Sequence, residues 1–309
     1  MLIIRWLLFL FILGTCTAKP PQIEPKDVKN KIEEIFKAHV THKKATPELM
    51  KKSIQNFLEE LDPTKTYFLS SEIQQWTDPS DELLQKTISG LKTAHFSIFE
   101  EIHITFLEAI ERRNALENKI KDLPLPSKVK SDEFKDHAWA QKVDELENRL
   151  LRIKSLQFSA TEALGDHSQE KFIQRINKRR INRESEFIGQ NKEERFKITL
   201  SCVLKSIASA LDSHTNYFTP SEANQFMIQV QQRLFGIGAQ LRDDLDGLSI
   251  VRILENSPAS QSNKLKINDK IIAVGNEPIV GFDIAEAVDL IRGEKGTPVR
   301  LTVFRELGS

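Results

Sequence analysis

The sequence predicts an α+β protein in which a long helical region precedes a small strand-rich domain. Two observations carry this. From residue 25 to about residue 218 glycine is nearly absent, and apolar residues recur every three or four positions, as in Ile32, Ile35, Phe36 and in Phe99, Ile102, Phe106, Ile110. That is the period of an amphipathic helix. After Leu234 glycines appear and alternation takes over, in Leu248-Ser249-Ile250-Val251-Arg252-Ile253 and in Val299-Arg300-Leu301-Thr302-Val303-Phe304, as in half-buried strands.

The first eighteen residues stand apart. Arg5 precedes an unbroken apolar run from Trp6 to Leu13, and Cys16-Thr17-Ala18 offers small residues before Lys19, the layout of a cleavable export signal. The run falls short of the ~20 apolar residues that span a bilayer, which disfavours an uncleaved anchor. Lipid attachment at Cys16 is a lesser alternative, because Thr15 fits poorly before it. The predicted domains are thus 1–18, a signal; 19–218, helical; and 219–309, strand-rich. Cleavage leaves Cys202 as the single cysteine, in an apolar helical stretch where a small buried core residue is a better reading than a nucleophile. Export without an internal disulfide suits a bacterial periplasm at least as readily as a eukaryotic exterior. Forty-four basic and forty-four acidic residues cancel, so bulk charge argues against a nucleic-acid partner.

Local signals place the elements. Thr46-Pro47-Glu48 reads as a cap with proline at the first helical position, and Ser71 to Gln74 and Thr219 to Glu222 have capping-box spacing. Asp62-Pro63 and Asp78-Pro79 mark turns, and Leu123-Pro124-Leu125-Pro126 an extended break. Leu61-Asp62, Tyr67-Phe68, Ser71-Glu72 and Gln75-Trp76 are echoed by Leu211-Asp212, Tyr217-Phe218, Ser221-Glu222 and Gln225-Phe226. This is a reused elbow in which a helix ends, two aromatics bury and a capped helix starts. The charge-dense stretch 169–197 reads as a solvated helix face with Phe172, Ile173, Ile176 and Ile181 turned inward; a phosphate or lipid-headgroup site is disfavoured because acids interleave with Lys178-Arg179-Arg180. In the strand-rich domain, residues 243–247 close a hairpin between strands 237–241 and 248–253. Asp283 and Glu286 cap a late helix that Gly293 ends, with Ile284, Ala287, Val288 and Ile291 on one face.

The most informative residues for function are Gly236-Ile237-Gly238. Two glycines one residue apart at a strand entrance let successive N–H groups turn toward one point, making an anion nest that a C-terminal carboxylate would fill. Ala239 and Leu241 then belong to a strand that pairs with the visiting peptide, and Ile284, Val288 and Ile291 form the facing wall; Arg233 adds longer-range attraction. Alone, Gly-x-Gly is equally a bulge or tight turn. Ser168 and Lys171 have nucleophile–base spacing but lie among charged residues, where a cap is the better reading. His39 and His42 share a face without a third ligand and read as a surface pair; Asp212 and His214 read as turn residues. No catalytic residue, metal site or cofactor is predicted.

The order of loop, strand, hairpin, strand, Asn256-Ser257-Pro258-Ala259, strand and capped helix resembles the PDZ domains of bacterial proteases. Residues 211–220, running into Phe235-Gly236-Ile237-Gly238-Ala239, are more narrowly similar to the carboxyl-terminal processing, or tail-specific, serine peptidases, as is Asp289-Leu290-Ile291-Arg292-Gly293-Glu294-Lys295-Gly296-Thr297. The resemblance implies that the Gly236–Gly238 loop binds the C-terminal tails of polypeptide substrates and that the domain gates a Ser/Lys site. That site lies beyond residue 309 in the family, so this chain alone is expected to be inactive, with the missing protease half as a further partner if the enzyme is split. A free-standing PDZ scaffold is the other alternative. The family usually has glycine where Asn263 and Asn268 stand; asparagine best tolerates the positive φ expected there.

Overall fold

The computed structural model describes residues 23–162, 166–220, 222–223, 226–227, 236–244, 247–282, 284–293 and 296–305, with the side chains of 160–172 outside that set. The expected signal, Arg233 and Asp283 therefore lie outside the described residues. Among the described residues, no helix is long and apolar enough to cross a membrane.

The helical region runs through α1 (Pro25–Ala38), α2 (Pro47–Leu61), α3 (Ser70–Thr77), α4 (Asp81–Thr93), α5 (Ser97–Ile120), α6 (Val143–Glu162), α7 (Asp166–Ile188) and α8 (Lys192–Leu211). Thr46 caps α2 by accepting from the Leu49 N–H, with Pro47 at the first position. The box expected at Ser71 is displaced. Leu69 is held extended by a bridge to Ala140, so α3 starts at Ser70 and the Glu72 carboxylate takes the Leu69 N–H at 2.9 Å. At the second elbow the expected box does form: Thr219 N–H donates to Glu222 and Glu222 N–H to the Thr219 hydroxyl.

The core lies between α2, α5 and α8. Ile54, Phe57, Leu58 and Leu61 of α2 and Leu200, Val203, Leu204 and Ile207 of α8 are fully buried in one cluster. Phe57 meets Phe99 edge-on at 5.0 Å, and Phe106 gathers Tyr67, Phe68 and Phe187. Cys202 is buried here, and burial pushes its thiol pKa up to about 12, so it packs as a small apolar side chain.

The two elbows share their capping chemistry but differ in cover. Asp62 is fully buried and its carboxylate accepts from the N–H groups of Thr66, Tyr67 and Phe68 and from the Trp139 indole. Asp212 accepts from the N–H groups of His214 and Thr215 and from His39. Tyr67 and Phe68 are buried beneath Phe106, as expected, whereas Phe218 is 47% exposed and stacks on Phe226 at the surface. The aromatics of the second elbow thus do not both bury, because the second copy has no counterpart of the α5 ring over it among the described residues.

His103 ties α5 to α7 and α8. Its Nε2 lies 2.9 Å from the Phe187 carbonyl, which can only accept, so Nε2 carries the proton; Nδ1 lies 2.5 Å from the Thr199 hydroxyl oxygen, which also meets the Arg195 carbonyl at 3.0 Å. Burial lowers its pKa to about 4. The folded value lies below the unfolded one, so the unfolded chain binds more protons between these values and stability falls as pH drops from about 6.5 to about 4, by ~3 kcal/mol in all. Urea denaturation of the whole chain at pH 7 and pH 5 will show His103→Gln with a shallower pH dependence than the wild type; equal slopes would remove His103 as the source.

The strand-rich domain is a five-stranded antiparallel sheet of β1 (Ala239–Asp244), β2 (Gly247–Ile253), β3 (Lys270–Val274), β4 (Glu277–Pro278) and β5 (Leu301–Phe304), with short helix α9 (Pro258–Ser262) and α10 (Ile284–Ile291). β3 pairs with β2 and β4 along one edge and β5 along the other, and β1 pairs with β2. The hairpin is tighter than expected, because the strands run on to Asp244 and resume at Gly247. Asn263 and Asn268 take the expected positive φ, 53° and 73°.

Candidate peptide-binding groove

The candidate site comprises the 236–238 loop, the outer edge of β1 and the flank of α10. Gly238 has φ +76°, and a Cβ there would fall 2.2 Å from Cβ of Ser257. Ser257 is fixed in turn: it caps α9, accepting from the Ser260 N–H, and donates to the Leu254 carbonyl at 2.7 Å. Glycine at 238 is therefore demanded by both conformation and space. Gly236 is not: its φ lies outside the left-handed region and a Cβ there meets nothing within 4 Å. Of the two glycines expected to free this turn, Gly238 alone makes a close approach.

The Ile237 and Gly238 carbonyls accept from the N–H groups of Ala259 and Leu254, each at 2.9 Å, which pins the loop. Among the described residues nothing accepts from the N–H groups of Gly236, Ile237 or Gly238. Beyond the loop, Ile237, Ala239 and Leu241 lie half-buried over Leu248, Ile250 and Ile271, in one apolar cluster with Ala287 and Ile291 of α10. The four residues expected on one face of α10 divide: Ala287 and Ile291 face this core, while Val288 is half-buried and Ile284 36% exposed. A helix turn separates Ile284 from Val288, which puts both on one flank.

Other candidates resolve into structural roles. His39 Nδ1 accepts from the Thr41 and His42 N–H groups, leaving Nε2–H to donate to Asp212 at 2.9 Å. The expected surface pair is corrected: the His39 side chain is only 8% exposed, because it links the end of α1 to the elbow after α8. The His214 N–H, with Thr215 and His39, holds the Asp212 pKa well below the ordinary carboxylate range. Ser168 and Lys171 lie on α7, where their side chains are outside the described set. A recess of about 380 Å³ lined by Asn56, Glu60, Lys205, Tyr217, Phe218 and Glu222 belongs to the helical region, and its Lys205 is already engaged by Glu222.

The sequence reading missed what α7 does. Ile173 and Ile176 do turn inward, but onto Ile272 and Val280 of the strand-rich domain. Arg175 donates to the Pro278 carbonyl at 2.7 Å, pairs with Glu277 and lies over the Phe282 ring; Arg179 donates to the Phe282 carbonyl at 2.9 Å and pairs with Asp243. Ile181, expected inside, is 53% exposed. A signal existed: Ile271-Ile272-Ala273-Val274 does not alternate, and every residue of β3 is buried, as for a strand covered on both faces.

A loop pinned through its carbonyls, an edge strand and a helix packed on the same apolar cluster are the parts of a PDZ-type module, here carried by a helical region. Residues 225–304 match the PDZ domain family, and residues 31–221, well over half the chain, match the tail specific protease N-terminal domain. The chain belongs to the tail-specific protease family. It is 26% identical to the tail-specific protease of Haemophilus influenzae over 308 residues, covering 93% of this chain and 43% of that protein. It is 35% identical over 99 residues to the carboxy-terminal processing protease CtpA of Bacillus subtilis, covering 32% of this chain and 21% of that protein. The chain thus spans less than half the length of these relatives.

Proposed function

We propose that this chain is the substrate-recognition part of an exported tail-specific protease, acting in a bacterial periplasm, and that its groove binds polypeptide tails ending in a free carboxylate and a small or medium apolar side chain. The observation that carries this is the set of N–H groups at Gly236, Ile237 and Gly238 without acceptors among the described residues, beside a free strand edge. A carboxylate there takes charge-assisted hydrogen bonds, and the tail adds as a strand along β1 with its last side chain between Leu241 and Val288.

Because such hydrogen bonds are worth ~1.5–3 kcal/mol each, amidating the C-terminus of a valine-ending peptide will weaken its binding to the whole chain about tenfold or more. Calorimetric titration of matched free-acid and amidated peptides decides the matter; equal affinities would reduce the loop to a turn.

A further inference from the structure

We infer that helix α7 closes the far end of the groove, so that a tail longer than about four residues seats only by displacing Arg179 from Asp243. The inference rests on the proposed tail-binding groove and adds a length limit set by the helical region. Ala239, Leu241 and Asp243 alternate onto the side of β1 that faces the apolar cluster of α10. Phe282 lies two residues ahead of α10. Arg179 bonds both the Asp243 carboxylate and the Phe282 carbonyl, so its guanidinium spans the gap between the end of β1 and the start of α10. That gap lies opposite the 236–238 loop, in the direction a bound tail runs back toward its own protein. A tail paired antiparallel with β1 advances ~3.4 Å per residue, and the four-residue step from Ala239 to Asp243 places its fourth or fifth residue from the end against Arg179.

The closure has support along α7. Arg175, one turn earlier, grips Pro278 and Glu277 and covers the Phe282 ring. Gly281, at φ +84°, lets Ile176 approach so closely that a Cβ would fall 2.8 Å from its Cγ1. The Arg179 and Asp243 side chains are 36% and 32% exposed, and ion pairs this accessible contribute little individually. A longer tail opens the bridge by exchanging this exposed pair and the Arg179 bond to the Phe282 carbonyl for strand pairing. Tail binding and the Arg179 bridge compete for the same gap.

The test uses the whole chain, its Arg179→Ala and Asp243→Ala variants, and free-acid peptides of about four and about ten residues with the same valine end, chosen from the strand rise. Both variants should bind the long peptide about two- to fivefold tighter than the wild type and the short one unchanged. Hydrogen exchange over residues 173–188 of the wild type should quicken with the long peptide only. Variants that shift both peptides alike, or neither, or exchange unmoved by the long peptide, would overturn the closure. The amidated long peptide separates the two ideas: if it binds as well as the free acid, the carboxylate reading fails, while the exchange comparison still decides whether α7 is displaced.

Discussion

Asp62→Ala will destabilise the helical region by ~3–5 kcal/mol, the largest effect expected of any single truncation there. The substitution leaves the N–H groups of Thr66, Tyr67 and Phe68 and the Trp139 indole without their acceptor in a site sealed from water. Burial pushes the Asp62 pKa up, and the N–H groups of Thr66, Phe68 and Tyr67, then Trp139, oppose it. Asp62→Asn should fall between wild type and Asp62→Ala, since it keeps one oxygen for Thr66 but turns an amide against the other donors. Urea midpoints for the three chains test this, and a loss under ~1 kcal/mol for Asp62→Ala would mean that water replaces the carboxylate.

Gly238→Val should weaken free-acid peptide binding at least ~tenfold and also lower stability, because a β-branched residue at positive φ is strained in any surroundings. Here the Cβ also collides with Ser257, whose own position is fixed by its bonds to Ser260 and Leu254. Gly236→Val supplies the control, since it meets open space at an ordinary φ and should keep the fold. Thermal melts and peptide titrations of both variants separate strain from lost recognition. Wild-type affinity in Gly238→Val would remove the loop from the binding site.

What the sequence revealed was governed by local rules. Thr46 before Pro47, the Thr219–Glu222 box and the left-handed Asn263 and Asn268 depend on residues within a turn of each other, and all are found as expected. The loop before β1 was legible for the same reason, though not the unequal demands on its two glycines, which depend on where α9 passes. The failures are long-range. Ser71 lost its cap role to a bridge between Leu69 and Ala140, some seventy residues away. Arg175 and Arg179 looked like a solvated face because an arginine meeting a carboxylate across a domain contact and one meeting water have the same sequence pattern. The unalternating β3 held the missing clue, but a short apolar run says only that cover exists, not which element supplies it.

The double burial of β3 also bears on the order of events during synthesis. The α7 residues Ile173 and Ile176 leave the ribosome about a hundred positions before Ile272 and Val280, which they cover. When the last strands emerge, a folded partner is already waiting, and the second apolar face of the sheet need never be exposed to other chains. The same strands expressed without the preceding region would present Ile272 and Val280 bare. The PDZ-type module of this chain is therefore not freely portable, and a graft onto another protein has to bring α7 with it or replace those two side chains with polar ones.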